Sequence, residues 1–145
     1  MLSVGETGTY EVGETDEYGE NYKPTGKMSV TVVSAKYVTP AEIGTSNKPK
    51  GQFVELTLTI KNVGKSKARV MTYGNLQWED DQTAAQDATT LEGVGEGPEL
   101  DTEYKPGQGV TGKLILDVGR RGGIVSYTYS EDPEGAAPFK VKLPK

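Results

Sequence analysis

The clearest pattern in the chain is the alternation along residues 51–64, GQFVELTLTIKNVG. In an extended strand Val54, Leu56, Leu58 and Ile60 fall on one side, and Phe53, Glu55, Thr57, Thr59 and Lys61 on the other. A helix would scatter those aliphatics around its circumference; a pleated strand gathers them on one buried face. Burying each is worth roughly 1.5–3 kcal/mol, so a one-residue slip that exposed the whole set is strongly disfavoured. Val110 to Val118 repeats the pattern as cleanly: Leu114, Leu116 and Val118 go in, and Lys113, Ile115 and Asp117 face solvent or a second layer.

Weaker runs fill the space around these two. Ser3 to Val12, with Val4, Tyr10 and Val12, reads as an edge strand, and the acidic stretch Glu14 to Lys27 as a loop or mobile arm. Met28 to Val38 changes parity at Val32-Val33: Met28, Val30 and Val32 share one face, while Val33, Ala35 and Tyr37 share the other. A β-bulge there and a strand covered on both faces are equally consistent with that switch. Thr39 to Lys50, with Pro40, Gly44, Asn47 and Pro49, is too long for a tight hairpin and predicts a crossing between two sheets. Asn62 to Lys65 is a turn signal, after which Ala68 to Tyr73 and Leu76 to Trp78 return as short strands. Trp78 shares a face with Leu76 and is expected in the core. Glu79 to Leu100 carries little pattern beyond a short helical turn around Ala84-Ala85, and Pro106-Gly107 suits a type II turn. Ile124 to Ser130, and then Phe139, Val141 and Leu143 between Lys140 and Lys142, give the closing strands. The fold class is all-β: an immunoglobulin-like β-sandwich of two antiparallel sheets, with about seven or eight strands and no disulfide. An N-terminal strand and acidic arm over residues 1–27 precede a sandwich domain over 28–145, one domain overall.

Composition narrows the chemistry. The chain has 145 residues, 34% hydrophobic and 26% charged, with 19 glycines that fit many turns better than long helices. It contains no cysteine and no histidine, which removes thiolate nucleophiles, disulfides, serine–histidine relays and histidine-bound zinc. A net charge of −5, with Arg120-Arg121 the only adjacent basic pair, argues against a nucleic-acid surface. No stretch approaches the ~18 apolar residues a membrane helix needs, so no transmembrane segment is expected. Residues 1–5 lack the apolar core of a secretory signal, leaving either a cytoplasmic protein or a mature chain whose signal has been removed.

Few residues stand out as candidate sites. Asp80 and Asp81, with Asp87 nearby, could supply some of the oxygens that a calcium ion requires, though their spacing matches no EF-hand loop. Glu131, Asp132 and Glu134 form a second acidic group. Gly93 to Gly97 superficially resembles a phosphate-cradling loop, but no lysine follows it and Glu92, Glu96 and Glu99 would repel an anion. Trp78, Tyr73 and Tyr104 could form an aromatic platform for a glycan or a peptide, with core the favoured reading for Trp78, and Tyr127 with Tyr129 an exposed stripe for a protein partner. Arg120 and Arg121, set between glycines, could clamp a carboxylate or phosphate. Every carboxylate sits in a loop or at an outward strand position, away from any apolar pocket that would raise its pKa, so an enzyme is not expected.

Several pieces, in order, resemble one family. These are Gly5 to Thr7, Lys48 to Val54, Ile60 to Gly64, Pro106 to Gly112, Tyr127 to Pro133 and Phe139 to Leu143. Together they resemble the Ig-like domain of unknown function found in secreted proteins and lipoproteins of Gram-positive bacteria, to which the mycobacterial secreted immunoprotective antigen is related. Where such domains often carry a proline after the strand that Val118 ends, this chain has Gly119-Arg120-Arg121-Gly122-Gly123. The resemblance implies an extracellular or cell-envelope location behind a signal or lipid anchor, and it brings no catalytic residues. The expected function is therefore a non-enzymatic extracytoplasmic module that binds a protein or envelope component and needs no cofactor. The alternative is a calcium-stabilised ligand-binding sandwich that uses the acidic loops.

Overall fold

The structure, a computed structural model, describes residues 1–91, 97–130 and 137–145. Eleven strands are present among them, in chain order: β1 Thr7–Glu14, β2 Lys23–Val38, β3 Gln52–Asn62, β4 Ala68–Arg69, β5 Leu76–Glu79, β6 Gln86–Asp87, β7 Thr89–Thr90, β8 Glu103–Tyr104, β9 Gly109–Val118, β10 Ile124–Tyr127 and β11 Phe139–Lys142. A five-stranded sheet runs β1-β2-β3-β9-β7, a four-stranded sheet runs β11-β10-β5-β6, and β4 pairs with β8 at one side. The pairings are antiparallel. The main core lies between the two larger sheets, with Met28, Val30, Val32, Leu56, Leu58, Ile60, Leu114 and Leu116 on one side. Leu76, Trp78, Val125, Tyr127, Phe139 and Val141 meet them from the other. This is the sandwich that the two alternating runs predict.

The parity switch in β2 is a bulge. Its pairing with β3 shifts between Val32 and Ser34, so Val33 is the extra residue and stands 46% exposed. Beyond it Ala35 and Tyr37 lie opposite Leu56 and Val54 and pack on the main core. One inserted residue thus keeps both halves of a sixteen-residue strand facing inward.

The segment between β2 and β3 corrects an expectation. It does not cross between sheets, because β2 and β3 are neighbours in the same one. Its length serves packing instead: Ile43, with Leu91, covers a small second cluster of Val38, Phe53 and Ile115 on the outer face of that sheet. The chain changes sheets elsewhere, notably through the turn at Gly119–Gly123 between β9 and β10. Ala84-Ala85 forms no helical turn; the neighbouring β6 pairs with β5. The return strand expected over Ala68 to Tyr73 is confined to Ala68–Arg69.

β1 and β2 also extend into the stretch read as an arm, pairing as far as Glu14 opposite Lys23. The residues between them fold around Asp16, whose carboxylate accepts from Tyr18 N, Glu20 N and Asn21 Nδ2 at 2.8–3.0 Å. Those bonds, the one from Glu20 foremost, hold the Asp16 carboxyl below its usual range.

Candidate functional site

The residues singled out in the sequence do not converge on one site. Tyr104 and Tyr127 are each 1% exposed and belong to the core, so neither the Tyr73–Tyr104 platform nor the Tyr127–Tyr129 stripe is a fully exposed aromatic surface. The reason is local. The Tyr104 hydroxyl donates to Leu100 O at 2.8 Å, and its own carbonyl accepts from the buried Asn62 Nδ2 at 3.0 Å. The Tyr127 hydroxyl accepts from Met71 N at 3.1 Å, and its ring stacks 5.0 Å from that of Phe139. Burial raises both phenols, Tyr104 to about 12. Tyr73 alone is well exposed, at 55%, and Tyr129 is half-buried with its ring 6.4 Å from Tyr127.

The acidic loop is also committed within the chain. Asp80 Oδ2 accepts from Arg120 Nε at 2.6 Å, and Arg120 donates further to Thr83 Oγ1 at 3.3 Å. The hydrogen bond from Arg120, more than any other contact, holds the Asp80 carboxyl well below the carboxylate range. Asp81 and Asp87 are exposed, and among the described residues no group of three or more carboxylates is placed to hold a metal ion. Glu131, Asp132 and Glu134, and Gly93 to Glu96 of the glycine-rich segment, lie outside the described residues.

The Arg120-Arg121 turn is structural. The Arg121 guanidinium lies 4.9 Å from the centre of the Tyr37 ring. The Tyr37 hydroxyl accepts from Gly122 N at 2.6 Å and donates to Pro144 O at 2.5 Å. Trp78 Nε1 donates to Gly122 O at 2.9 Å. The glycines let the turn close over the indole: a Cβ on Gly119 would lie 2.5 Å from a ring carbon of Trp78. The departure from the proline-bearing pattern is thus a tryptophan clamp.

A cleft of about 330 Å³ opens elsewhere, where the far end of β1 meets Lys67 to Arg69 and the end of β10. Among the described residues its aromatic lining is Tyr10, Tyr22, Tyr127 and Tyr129, and its charged lining is Glu11, Glu14, Lys67 and Arg69. Thr15, Thr25 and Ser130 add hydroxyls. Two local features shape it. The β1–β2 pairing shifts register between Val12 and Gly13, which re-aims the strand at the cleft wall. Gly13 then leaves room for Tyr22, since a Cβ there would meet that ring at 2.5 Å. None of the four charged groups forms a salt bridge among the described residues. Beneath the cleft the Tyr10 ring packs on Phe139 and Tyr127, with centroids 5.7 and 6.3 Å away. Its hydroxyl is sealed from solvent with no hydrogen-bond partner among the described residues, and burial pushes the phenol far above its ordinary value.

Sequence reading missed this cleft because its walls are distant in the chain. Tyr10 and Val12 were legible as apolar members of an edge strand, but nothing local links them to Lys67 or to Tyr129.

The fold, all-β among the described residues and built without cysteine, defines an immunoglobulin-like β-sandwich. The chain matches the family described as Domain of unknown function (DUF4352) over residues 18–138, and it belongs to that family. Three solved structures share the fold. The secreted protein MPT63 of Mycobacterium tuberculosis is 19% identical with a TM-score of 0.55, covering 93% of this chain and 92% of its own. The YjhA protein of Bacillus subtilis is 15% identical with a TM-score of 0.57, covering 99% and 100%. YcdA of Bacillus subtilis, described as a lipoprotein, is 19% identical with a TM-score of 0.56 over 80% of this chain. The match spans only 36% of the YcdA chain. No curated protein matches the sequence.

Proposed function

We propose that this protein is a non-enzymatic binding module of the extracytoplasmic space that engages a protein or envelope component through the cleft between β1 and β10. The observation that carries this reading is the cleft itself. It is concave, with aromatic and charged walls on a rigid sandwich, and its four charged groups make no salt bridge among the described residues. Structural neighbours described as secreted or as a lipoprotein support the location. The lack of histidine and cysteine, together with the engagement of Asp80 by Arg120, supports a binding role over a catalytic one.

The test is a titration of isotopically labelled protein with solubilised envelope fractions, glycan and protein separately, read by backbone NMR. Shifts centred on Tyr10 to Thr15, Lys67 to Arg69 and Tyr127 to Ser130 are expected from at least one fraction. Shifts confined to other surfaces, or none from either fraction, would overturn the proposal.

A further inference from the structure

Resting on that reading, we infer that the cleft takes a neutral, hydroxyl-rich ring: a sugar unit of a glycan chain. Three properties of the lining converge on this chemistry. Among the described residues the charged groups of the lining are of both signs, Glu11 and Glu14 with Lys67 and Arg69, so a ligand of either net charge meets like charge there. The same four groups, with Thr15 and Thr25, offer both donors and acceptors, as a ring of hydroxyls requires. Half-buried Tyr22 and Tyr129 add apolar ring surface against which the C–H face of a sugar can pack. A wholly apolar ligand would instead desolvate those charges without replacing their hydrogen bonds. The volume, about 330 Å³, lies near the small end of ligand pockets and suits a short saccharide segment.

An extended peptide is the natural competitor, because β1 is the edge strand of its sheet and six consecutive residues, Tyr10 to Thr15, line the cleft. Added strands need a regular ladder of backbone groups. The register shift at Val12/Gly13 interrupts that ladder in the middle of the cleft, and the glutamates at Glu11 and Glu14 are of the kind that guard an edge against pairing. The observations therefore favour the sugar.

The experiment titrates the labelled chain with maltotriose, cellotriose and chitotriose, and in parallel with an uncharged, end-blocked tripeptide, at low and high salt. At least one trisaccharide is expected to shift the Tyr10–Thr15 and Lys67–Arg69 amides. Its affinity should change less than about twofold between 50 and 500 mM NaCl, as for an uncharged ligand. Arg69→Ala and Tyr129→Ala should each weaken binding by about tenfold or more, the scale of a lost charged hydrogen bond or ring contact. Their melting temperatures show whether the fold is kept, and the exposed Arg69 gives the variant that tests the site even if Tyr129→Ala unfolds. Binding of the tripeptide with no response to any trisaccharide overturns the sugar assignment and leaves the binding-module reading standing. A response to the protein fraction but to neither the glycan fraction nor any trisaccharide does the same, whereas a response to the glycan fraction alone supports the sugar assignment. No response to any probe or fraction overturns both.

Discussion

Tyr10 and Tyr127 are neighbouring rings of the same chemistry, yet removing the hydroxyl from each should move stability in opposite directions. Tyr10→Phe keeps the ring packed against Phe139 and Tyr127 while deleting a sealed oxygen that has no partner among the described residues. An unsatisfied buried polar group costs about 1–3 kcal/mol, so deleting this one should stabilise the protein by about 1–2 kcal/mol. At this chain length that corresponds to a rise in Tm of roughly 2–8 °C. Tyr127→Phe instead strands Met71 N, which now donates to the Tyr127 hydroxyl at 3.1 Å, and should destabilise by about 1–2 kcal/mol. Urea unfolding followed by Trp78 fluorescence reads both variants. The pH dependence gives an independent check. Below about pH 10 folded and unfolded chains both hold the phenolic proton, so these groups contribute no slope. Above it the unfolded chain releases protons that the folded chain keeps, because burial raises the Tyr10 and Tyr127 phenols. Stability should then fall by about 1.4 kcal/mol per pH unit for each such phenol, and Tyr10→Phe should remove one share of that slope. A Tyr10→Phe protein less stable than wild type at pH 7, with an unchanged alkaline slope, would refute the reasoning.

Asn62 is fully buried and its side chain bonds Ser66 O, Tyr104 O and Gly64 N at 2.8–3.0 Å, so Asn62→Ala should cost about 2–4 kcal/mol, read as a drop in urea midpoint at unchanged slope. Gly119→Ala drives a methyl into the Trp78 ring and should cost about 1–3 kcal/mol, with an altered near-ultraviolet signal from the displaced indole. Millimolar calcium or EDTA should leave the melting temperature unchanged, because Arg120 already occupies Asp80; a calcium-dependent rise would restore the metal-site reading. Arg120→Ala should produce a small loss that fades with added salt, measured by thermal melts at low and high ionic strength.

The fold was largely legible because two of its long buried strands, β3 and β9, obey a period of two with few exceptions. Thr7, Thr31, Thr59 and Thr111 show how far that regularity reaches. They lie opposite one another across β1, β2, β3 and β9 on the outer face, with hydroxyls 2.7 Å apart in the pairs Thr7–Thr31 and Thr59–Thr111. Parity also flagged the bulge at Val33, but it could not choose between a bulge and a doubly covered strand. That choice depends on what packs outside β2, which no local pattern records. The segment from Thr39 to Lys50 failed for a related reason: length alone does not separate a crossing between sheets from a loop that folds back over its own sheet. The missing information was Ile43, one apolar residue whose role depends on Phe53 and Ile115 lying on the outer face beneath it.

The site was harder to read because residue type says little about which face of a short strand is covered. Tyr127 and Tyr129 share a strand face in the sequence, yet one is core and the other half-buried, since Phe139 and Tyr10 close over the first and not the second. Arg120 and Arg121 looked like free cations for the same reason; their partners, Asp80 and Tyr37, are far away in the chain and arrive only when the sandwich closes. The converse holds for Lys67 and Arg69. In the sequence they are ordinary solvated charges, and only the bulge at Val12/Gly13 sets Glu11 and Glu14 with them around one cleft. In this sandwich the conspicuous Arg120 and Arg121 are engaged within the fold, whereas Glu11, Glu14, Lys67 and Arg69 line an open cleft.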